Sequence, residues 1–268
     1  MTYLKPPKRI TAPQIMARKR EKPIVMLTAY TARMAELLDR HCDVLLVGDS
    51  VAQVIYGHGS TLPASLEMMI AHGEAVVRGS SRALVVVDLP FGTYEESPAQ
   101  AFATASQIMD RTGAGAVKLE GGTAMAETIS YLTQRGIPVM AHVGLTPQAV
   151  NVLGGYAARG KGNLDYSRIM DDAIAVAEAG AFSVVAEAVV EELAISITEA
   201  INCPTIGIGA SVKCDGQVLV VDDMLGMFDR NPKFVRRFDD FATRIDEAAA
   251  AYAEAVRGKA FPTQQHCY

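Results

Sequence analysis

The sequence has few cysteines, no long apolar run and no excess of positive charge. Each of these shortages excludes a class of protein. Its four cysteines form no Cys-x-x-Cys pair and show no zinc-like spacing to histidine; they are Cys42, Cys203, Cys214 and Cys267. We therefore expect reduced thiols rather than disulfides or a zinc site. No apolar run reaches the ~18 residues that a membrane-spanning helix needs. Residues 1–8 lack the pattern of a secretory signal peptide, so we expect a soluble, cytoplasmic protein.

The charge and composition limit the partners and the number of domains. The net charge of −5 argues against a surface for nucleic acid or anionic membrane, and the basic stretch over residues 5–22 is short and mixed with apolar residues. Half of the residues are hydrophobic and 21% are charged, as in ordinary globular proteins. No linker-like or low-complexity segment divides the chain. We therefore expect one domain over residues 1–268.

Short apolar segments alternate with helix-forming segments along the chain. The predicted strands are residues 24–28, 44–47, 83–89, 116–119, 137–141, 182–186, 205–208 and 218–221. The predicted helices are residues 31–41, 65–78, 98–111, 123–135, 166–179, 190–201 and 238–257. Eight strands alternating with helices predict an α/β fold, a (β/α)8 or TIM barrel. A doubly wound open sheet is the alternative, but its strand-GxGxxG-helix opening is absent.

Two further segments lie outside this alternation. Residues 11–21 are predicted to form a short amphipathic helix, either closing the bottom of the barrel or forming a loose tail. Residues 151–162 hold four glycines after a strand end. That composition is typical of a mobile lid over the rim, and an ordered subunit contact is an equal alternative.

Two predicted strands end in the same way, with one aspartate each. Asp49 follows the run Val-Leu-Leu-Val-Gly, and Asp88 follows Leu-Val-Val-Val. Neighbouring parallel strands of a barrel end at the same rim, so the two carboxylates should lie close together. Such a pair repels unless a cation or a proton lies between its members. Oxygen ligands without cysteine favour Mg²⁺, although either aspartate alone could equally cap a helix.

Later strand ends deliver further polar side chains: Lys118, Glu120, His142 and Glu187. Lys118 and Glu120 are two residues apart and face the same side of their strand. Their apolar neighbours favour an inward direction over a solvated pair. His142 could instead be a hydrogen-bonded structural residue.

Glu187 has two competitors for a catalytic role. Glu191 and Glu192 follow it closely, but we expect both in the first turn of a helix, where they interact favourably with its dipole.

Six motifs together resemble ketopantoate hydroxymethyltransferase, in the same order, from about residue 23 to 226. They are Val47-Gly48-Asp49-Ser50, His58-Gly59-Ser60-Thr61-Leu62-Pro63, Asp88-Leu89-Pro90-Phe91, Val117-Lys118-Leu119-Glu120-Gly121-Gly122, His142-Val143-Gly144-Leu145-Thr146-Pro147-Gln148, and Ile206-Gly207-Ile208-Gly209-Ala210 with Cys214-Asp215-Gly216-Gln217. The resemblance implies a Mg²⁺-dependent (β/α)8 barrel that assembles as a homodecamer. It implies transfer of a hydroxymethyl group from 5,10-methylenetetrahydrofolate to 3-methyl-2-oxobutanoate (2-oxoisovalerate), giving ketopantoate for pantothenate biosynthesis.

The resemblance also implies a role for each matching residue. The Mg²⁺ ligands would be Asp49, Asp88 and Glu120. The substrate would contact Asp49, Ser50, Asp88, Lys118 and His142, with His142 near the new hydroxymethyl group. Glu187 would be the base.

The sequence departs from the family pattern near two of these residues. Val51-Ala52 follows Ser50 where Leu-Gly is usual, and Ala188-Val189-Val190 follows Glu187 where Cys-Val-Pro is usual. The second departure weakens the local motif, and therefore the alignment of Glu187 with the family's base. It affects the chemistry that a glutamate can perform at this position less.

The residues also suit this chemistry by themselves. A carbanion at C3 of a 2-oxoacid is unstable, so Mg²⁺ at the keto and carboxylate oxygens would help a carboxylate remove the proton. One alternative is a carbon–carbon lyase of the isocitrate-lyase and phosphoenolpyruvate-mutase type, although its Lys-Lys-Cys-Gly-His stretch is missing. The other is a non-catalytic metabolite-binding barrel, which unpaired acids at the rim disfavour because they cost stability.

Overall fold

Eight parallel strands close into a barrel in the computed structural model, which describes residues 9–268. They are β1 (Ile24–Thr28), β2 (Val44–Val47), β3 (Leu84–Asp88), β4 (Ala116–Glu120), β5 (Val139–Gly144), β6 (Ser183–Glu187), β7 (Thr205–Ile208) and β8 (Gly216–Leu219). Each strand pairs with the next, and β8 pairs with β1. The predicted (β/α)8 barrel is confirmed, and the doubly wound open sheet is excluded. The expectation about residues 1–8 lies outside the described residues.

Helices occupy most of the connections. They are α1 (Ala12–Met16), α2 (Ala32–Leu38), α3 (Val51–Val54), α4 (Leu66–Gly79), α5 (Pro98–Thr112), α6 (Ala126–Thr133), α7 (Val150–Leu153), α8 (Asn163–Glu178), α9 (Glu191–Ala200), α10 (Val221–Leu225) and α11 (Phe241–Arg257). Short 3-10 turns precede α6 and α7, at Thr123–Met125 and Pro147–Ala149. Part of the glycine-rich stretch predicted as a lid or a contact is therefore helical. Its mobility stays a prediction.

Local sequence signals explain where several helices begin. The hydroxyls of Thr31, Ser65 and Ser97 accept hydrogen bonds from the backbone N–H three residues later, at the starts of α2, α4 and α5. Pro98 occupies the first turn of α5, where no backbone donor is needed. Gly113 ends that helix with a φ of 74°, in the left-handed region that favours glycine.

Alternate strand residues fill the interior of the barrel. The buried cluster there includes Leu84 and Val86 of β3, Ala116 of β4, Met140 of β5 and Val185 of β6. Side chains alternate along a strand. The polar residues further along the same faces of these strands therefore also point inward, at the carboxyl ends.

The N-terminal helix contributes to the same cluster. Ala12 and Ile15 of α1 are buried with the interior side chains, and Ile15 has no exposed surface. The helix is shorter than predicted, since it ends at Met16, which is 45% exposed. Its packing agrees with closure of the barrel bottom and not with a loose tail.

Five strands differ from their predicted bounds: β3, β4 and β6 by one residue at one or both ends, and β5 and β8 by more. β5 begins at Val139 rather than 137, because Pro138 has no N–H to donate and the Ile137 N–H bonds to the carbonyl of Leu132. β8 spans Gly216–Leu219 rather than residues 218–221, because it pairs with β1 from Ile24 to Leu27.

The described residues form two compact units. The first ends at Val220 and holds all eight strands; the second is Val221–Tyr268. Within the second unit, α11 has no buried residue, and the Phe238 N–H bonds to the carbonyl of Met224. The expectation of one domain over residues 1–268 stays a prediction. Every predicted site residue lies in the first unit.

The four cysteines are free thiols, as expected; Cys267 is exposed and the other three are buried. Between residues 9 and 268, no helix has both the length and the apolar character needed to cross a membrane.

Candidate active site

Asp49 and Asp88 lie together at the carboxyl ends of β2 and β3, as predicted. The backbone N–H of Asp49 donates to Asp88 Oδ2 over 3.1 Å. Lys118 Nζ lies 2.9 Å from Asp88 Oδ1, so the lysine faces inward and forms an ion pair. All three side chains are buried. Two negative charges and one positive charge therefore share a site that water reaches poorly.

Ser50 follows Asp49 at the start of α3 and turns back toward the barrel. Its Oγ lies 2.8 Å from the Tyr30 hydroxyl. A Cβ placed on Gly48 would lie 2.8 Å from the same Oγ, so a side chain at this position would displace the Ser50 hydroxyl. Ser50 is thus held beside the two aspartates, where the resemblance expects it to contact substrate.

His142 lies between two carboxylates on neighbouring strands. Its Nδ1 is 3.5 Å from Glu120 Oε1, and its Nε2 is 3.3 Å from Glu187 Oε2. Among residues 9–268 neither ring nitrogen has a partner with hydrogen-bond geometry, although both are buried. The two contacts are therefore long ion pairs rather than well-aligned hydrogen bonds.

The surroundings shift the pKa values of these groups. Burial and the negative charge of Asp88 raise the pKa of Asp49 to about 7. Burial also raises the pKa of Asp88, although Lys118 opposes the shift. For Lys118 itself, burial acts to lower the pKa, but the neighbouring carboxylates, Asp88 first, raise it overall. The single positive charge of Lys118 therefore does not balance the negative charges of the two buried aspartates.

The pKa shifts of His142 and Glu120 favour the charged form of each group, as in an ion pair. Burial acts to lower the pKa of His142, but its contacts with Glu120 and Glu187 raise it to about 9. Burial acts to raise the pKa of Glu120, but His142 and Lys118 lower it overall. At neutral pH His142 is therefore protonated and Glu120 is ionised.

The backbone around Glu187 is closely packed. Gly144 is the register partner of Glu187, and it has a φ of 95°. A Cβ at Gly144 would lie 2.5 Å from the carbonyl oxygen of Glu187. Ala188 has a φ of 46°, which is rare for a residue with a side chain. Glu187 thus lies at a strained strand end, of the kind that clusters at functional sites. As expected, Glu191 and Glu192 lie in the first turn of α9.

Two buried residues at this rim received no role in the sequence analysis. Gln148 Nε2 donates to Asp49 Oδ2 over 2.9 Å, and the Gln148 backbone N–H donates to Glu120 Oε2 over 3.0 Å. The Tyr94 hydroxyl donates to Gln148 Oε1 over 2.6 Å. The one sequence signal was the position of Gln148 at the end of the His-x-Gly-Leu-Thr-Pro-Gln motif.

Carboxylates dominate this rim, and carboxylate oxygens are the donors that a hard cation prefers. Four carboxylates, on Asp49, Asp88, Glu120 and Glu187, face one lysine and one histidine. In the part of the chain from residue 9 onward, no three His, Cys, Asp or Glu side chains are spaced to hold a metal ion. Mg²⁺ commonly takes only one or two protein carboxylates and completes its shell with water and substrate. The pair Asp49 and Asp88 fits that pattern.

A pocket of about 250 Å³ adjoins Glu120 and Gln148. Its remaining walls come from the loops after β3, β4 and β5: Phe91, Tyr94, Glu95, Gly121, Thr146, Ala149, Asn151 and Val152. Phe91 is 51% exposed and Val152 is 90% exposed. A mostly apolar pocket thus opens beside the acidic site.

Comparison with solved structures supports the fold. The chain resembles phosphonopyruvate hydrolase with a TM-score of 0.60 at 13% identity, covering 95% of this chain and 92% of that one. It resembles 2,3-dimethylmalate lyase with a TM-score of 0.60 at 17% identity, covering 96% and 89%. Identities this low show a shared barrel and give no support to the lyase alternative.

Sequence comparison is more specific. The chain is 61% identical over 267 residues to 3-methyl-2-oxobutanoate hydroxymethyltransferase of Novosphingobium aromaticivorans, covering 98% of this chain and 92% of that one. It is 59% identical over 269 aligned residues to the enzyme of the same name from Cereibacter sphaeroides (strain ATCC 17025), covering 100% and 97%. The model of the family described as ketopantoate hydroxymethyltransferase matches residues 9–264. With the barrel and its acidic rim, these matches show that the chain belongs to the ketopantoate hydroxymethyltransferase family of enzymes.

Proposed function

We propose that this chain transfers a hydroxymethyl group from 5,10-methylenetetrahydrofolate to 3-methyl-2-oxobutanoate, giving 2-dehydropantoate (ketopantoate) in pantothenate biosynthesis. One observation carries the proposal: a carboxylate at the end of β6, in contact with His142, shares the rim of the barrel with a buried acidic pair at the ends of β2 and β3. An acidic pair that needs a cation and a separate carboxylate base suit proton removal from a 2-oxoacid. Membership of the family at about 60% identity supports the same reaction.

Asp49 and Asp88 would hold Mg²⁺, with Glu120 beside it. When bound, Mg²⁺ stabilises the negative charge that forms on the keto oxygen as the C3 proton leaves. The raised pKa of Asp49 supports this role, because two buried carboxylates with one lysine between them lack positive charge.

The other residues act on the oxoacid itself. Lys118 and Ser50 would bind its polar end, the first as a cation and the second as a hydroxyl. Glu187 would take the C3 proton, and the bonding electrons would move into the enolate. Hydrolysis of methylenetetrahydrofolate would break the two bonds from its one-carbon unit to nitrogen, releasing tetrahydrofolate and formaldehyde, whose oxygen comes from water. C3 of the enolate would then form a bond to the formaldehyde carbon as the carbon–oxygen double bond opens. Protonated His142, 3.3 Å from Glu187, would donate to the new hydroxymethyl oxygen.

The pocket beside Glu120 would hold the flat ring of the folate. Its apolar walls and the exposed ring of Phe91 suit a heteroaromatic group, and Glu120 joins it to the oxoacid site. Phe91→Ala should raise KM for methylenetetrahydrofolate by roughly 2- to 10-fold, since an aromatic contact contributes about 0.5–1.5 kcal/mol. It should not change C3 proton exchange, which needs no folate. Phe234→Ala, in the second unit, is the matched control. An unchanged KM in the Phe91 variant would place the folate elsewhere.

Proton exchange tests the reaction itself. The protein is incubated with 3-methyl-2-oxobutanoate in D₂O, with and without Mg²⁺, and loss of the C3 proton signal is followed by NMR. We expect exchange only with Mg²⁺, and ketopantoate only when methylenetetrahydrofolate is added. An enzyme that neither exchanges the proton nor forms the product would refute the proposal.

We also propose a cytoplasmic homo-oligomer, with the decamer of the family as the expected form. Free thiols support a reducing compartment. Exposed apolar side chains, including Val152, Leu164 and Val212, support association between copies. Light scattering after size-exclusion chromatography measures the mass, and a monomer would contradict the assembly.

A further inference from the structure

Gln148 contacts two acids that the chain brings from distant positions. It lies in the 3-10 turn after β5, and it is only 6% exposed. Its side chain reaches Asp49, 99 residues away in sequence, while its backbone N–H reaches Glu120, 28 residues away. No other residue described above donates to both carboxylates. The position of Gln148 thus fixes Asp49 and Glu120 relative to each other.

The partners of Gln148 determine the orientation of its amide. Nε2 has two acceptors, Asp49 Oδ2 and the carbonyl oxygen of Leu89 at 3.0 Å. Oε1 accepts from the Tyr94 hydroxyl at 2.6 Å. Rotating the amide by 180° would place its oxygen against two acceptors and its NH₂ group against a donor. The three contacts therefore allow one orientation only.

Tyr94 is itself held in place. Its ring is buried, with 1% exposure, and its hydroxyl oxygen accepts from the backbone N–H of Glu120 over 3.2 Å. The hydroxyl has two acceptors in reach, Gln148 Oε1 at 2.6 Å and the carbonyl oxygen of Glu120 at 3.3 Å. The shorter bond completes a chain of hydrogen bonds from β4 through Tyr94 and Gln148 to Asp49. Gln148 donates to one oxygen of each carboxylate, Oδ2 of Asp49 and Oε2 of Glu120. The other oxygen of each carboxylate is not bonded to Gln148.

We propose that Gln148 is a positioning residue for the oxoacid site, and that Tyr94 acts through it. Gln148 orients Asp49 so that its Oδ1 can face a divalent cation, and it holds Glu120 by Oε2 so that Oε1 stays beside His142. The inference rests on the proposed function for its role in catalysis, but the orientation itself can be tested by cation binding alone. Groups that hydrogen-bond to metal ligands typically contribute 10- to 100-fold to affinity or activity.

The test uses Gln148→Met and Tyr94→Phe in the full-length protein, with Mn²⁺ as the probe. Methionine keeps the length of the side chain and removes both amide groups, while phenylalanine removes only the hydroxyl. Mn²⁺ binding is measured by EPR on the protein without substrate, and circular dichroism reports the fold. Gln134→Met is the matched control, because Gln134 is exposed and its side-chain amide donates to the Ser130 hydroxyl, away from the acidic site.

We expect Gln148→Met to weaken Mn²⁺ binding and to slow C3 proton exchange by at least 10-fold each, with a smaller loss in Tyr94→Phe. The double variant should bind Mn²⁺ about as weakly as Gln148→Met alone, because Tyr94 acts through the amide. A folded Gln148→Met with parental Mn²⁺ affinity would overturn the inference, and so would losses that simply add in the double variant.

Two further results keep the test decisive. If Gln148→Met does not fold, Tyr94→Phe decides, and parental Mn²⁺ affinity in that variant overturns the inference. If the parent protein binds Mn²⁺ but does not exchange the C3 proton, the proposed function fails while the Mn²⁺ measurements still test the positioning role.

Discussion

Lys118 lies opposite Asp88 in the register of β4 and β3, and its Nζ is 2.9 Å from Asp88 Oδ1. The side chains are 6% and 3% exposed. A buried ion pair adds little stability relative to apolar residues, but removing one partner leaves a charge without compensation. The pair therefore keeps two charges inside the barrel, and the cost of burying each charge is offset only while both partners are present.

Lys118→Met should destabilise the protein and abolish binding of the oxoacid. We expect the free energy of unfolding to fall by about 3–5 kcal/mol, because Asp88 stays buried without its partner. Urea unfolding measures the change, and Lys118→Arg, which keeps the charge, should recover most of the stability. A Met variant as stable as the parent would show that Asp88 does not depend on this lysine.

Asp49→Ala should abolish Mg²⁺-dependent activity while the barrel stays folded. Asp88→Ala should abolish it too, with a loss of stability, because Lys118 then stays buried without its partner. Each change removes an oxygen ligand, and each also removes the repulsion between the two carboxylates. Circular dichroism checks the fold, and turnover is measured over a range of Mg²⁺ concentrations. Near-native turnover in either variant would show that the cation binds elsewhere.

Glu187→Gln should still bind Mg²⁺ and 3-methyl-2-oxobutanoate, yet lose C3 proton exchange and turnover by about 100-fold or more. The amide keeps the size of the side chain and cannot accept the proton. Glu191→Gln and Glu192→Gln are the controls, since their charges at the start of α9 contribute only about 0.3–1 kcal/mol each. Parental exchange in Glu187→Gln, with a loss in one of the controls, would assign the base to α9.

Asp215 should make the stability of the barrel depend on pH. Burial acts to raise its pKa, but hydrogen bonds from Lys19 Nζ and from the backbone N–H groups of Thr205 and Arg20 lower it overall. A lowered folded-state pKa means that the stabilisation is present above the unfolded value of about 3.9 and is lost as pH falls through the folded value.

Asp215→Asn should therefore lower the free energy of unfolding by about 2–4 kcal/mol at pH 7, since it weakens a buried charged network. The difference from the parent should shrink as pH falls below about 4. Urea unfolding from pH 3 to 7 measures this, with exposed Asp246→Asn as the control. A difference that stays constant over that range would mean that the charge of Asp215 is not what stabilises the fold.

Much of the fold and part of the site follow from local sequence. Apolar strands alternating with capped helices predict the barrel, and the residue that ends each strand is visible in the chain. Side-chain alternation then places Asp88, Lys118, Glu120 and His142 on the inward face, as the structure has them. These features depend on periodicity and on strand ends, which are properties of neighbouring residues.

Which of these side chains contact one another depended on the tertiary structure. The sequence could not show that Lys118 pairs with Asp88 while His142 lies between Glu120 and Glu187, because strand register decides which side chains meet. Register also moved β8 to Gly216–Leu219, against the apolar run at 218–221.

Gln148 shows the difference most clearly. Its place in a motif was visible in the chain, but its contact with Asp49 spans 99 residues. Closure of the barrel alone brings the loop after β5 over the ends of β2 and β4. The sequence by itself determined which chemical groups reach the rim. The tertiary structure decided which of them are held against one another, because hydrogen bonds and ion pairs require atoms to lie within about 3 Å, a distance that no local pattern specifies.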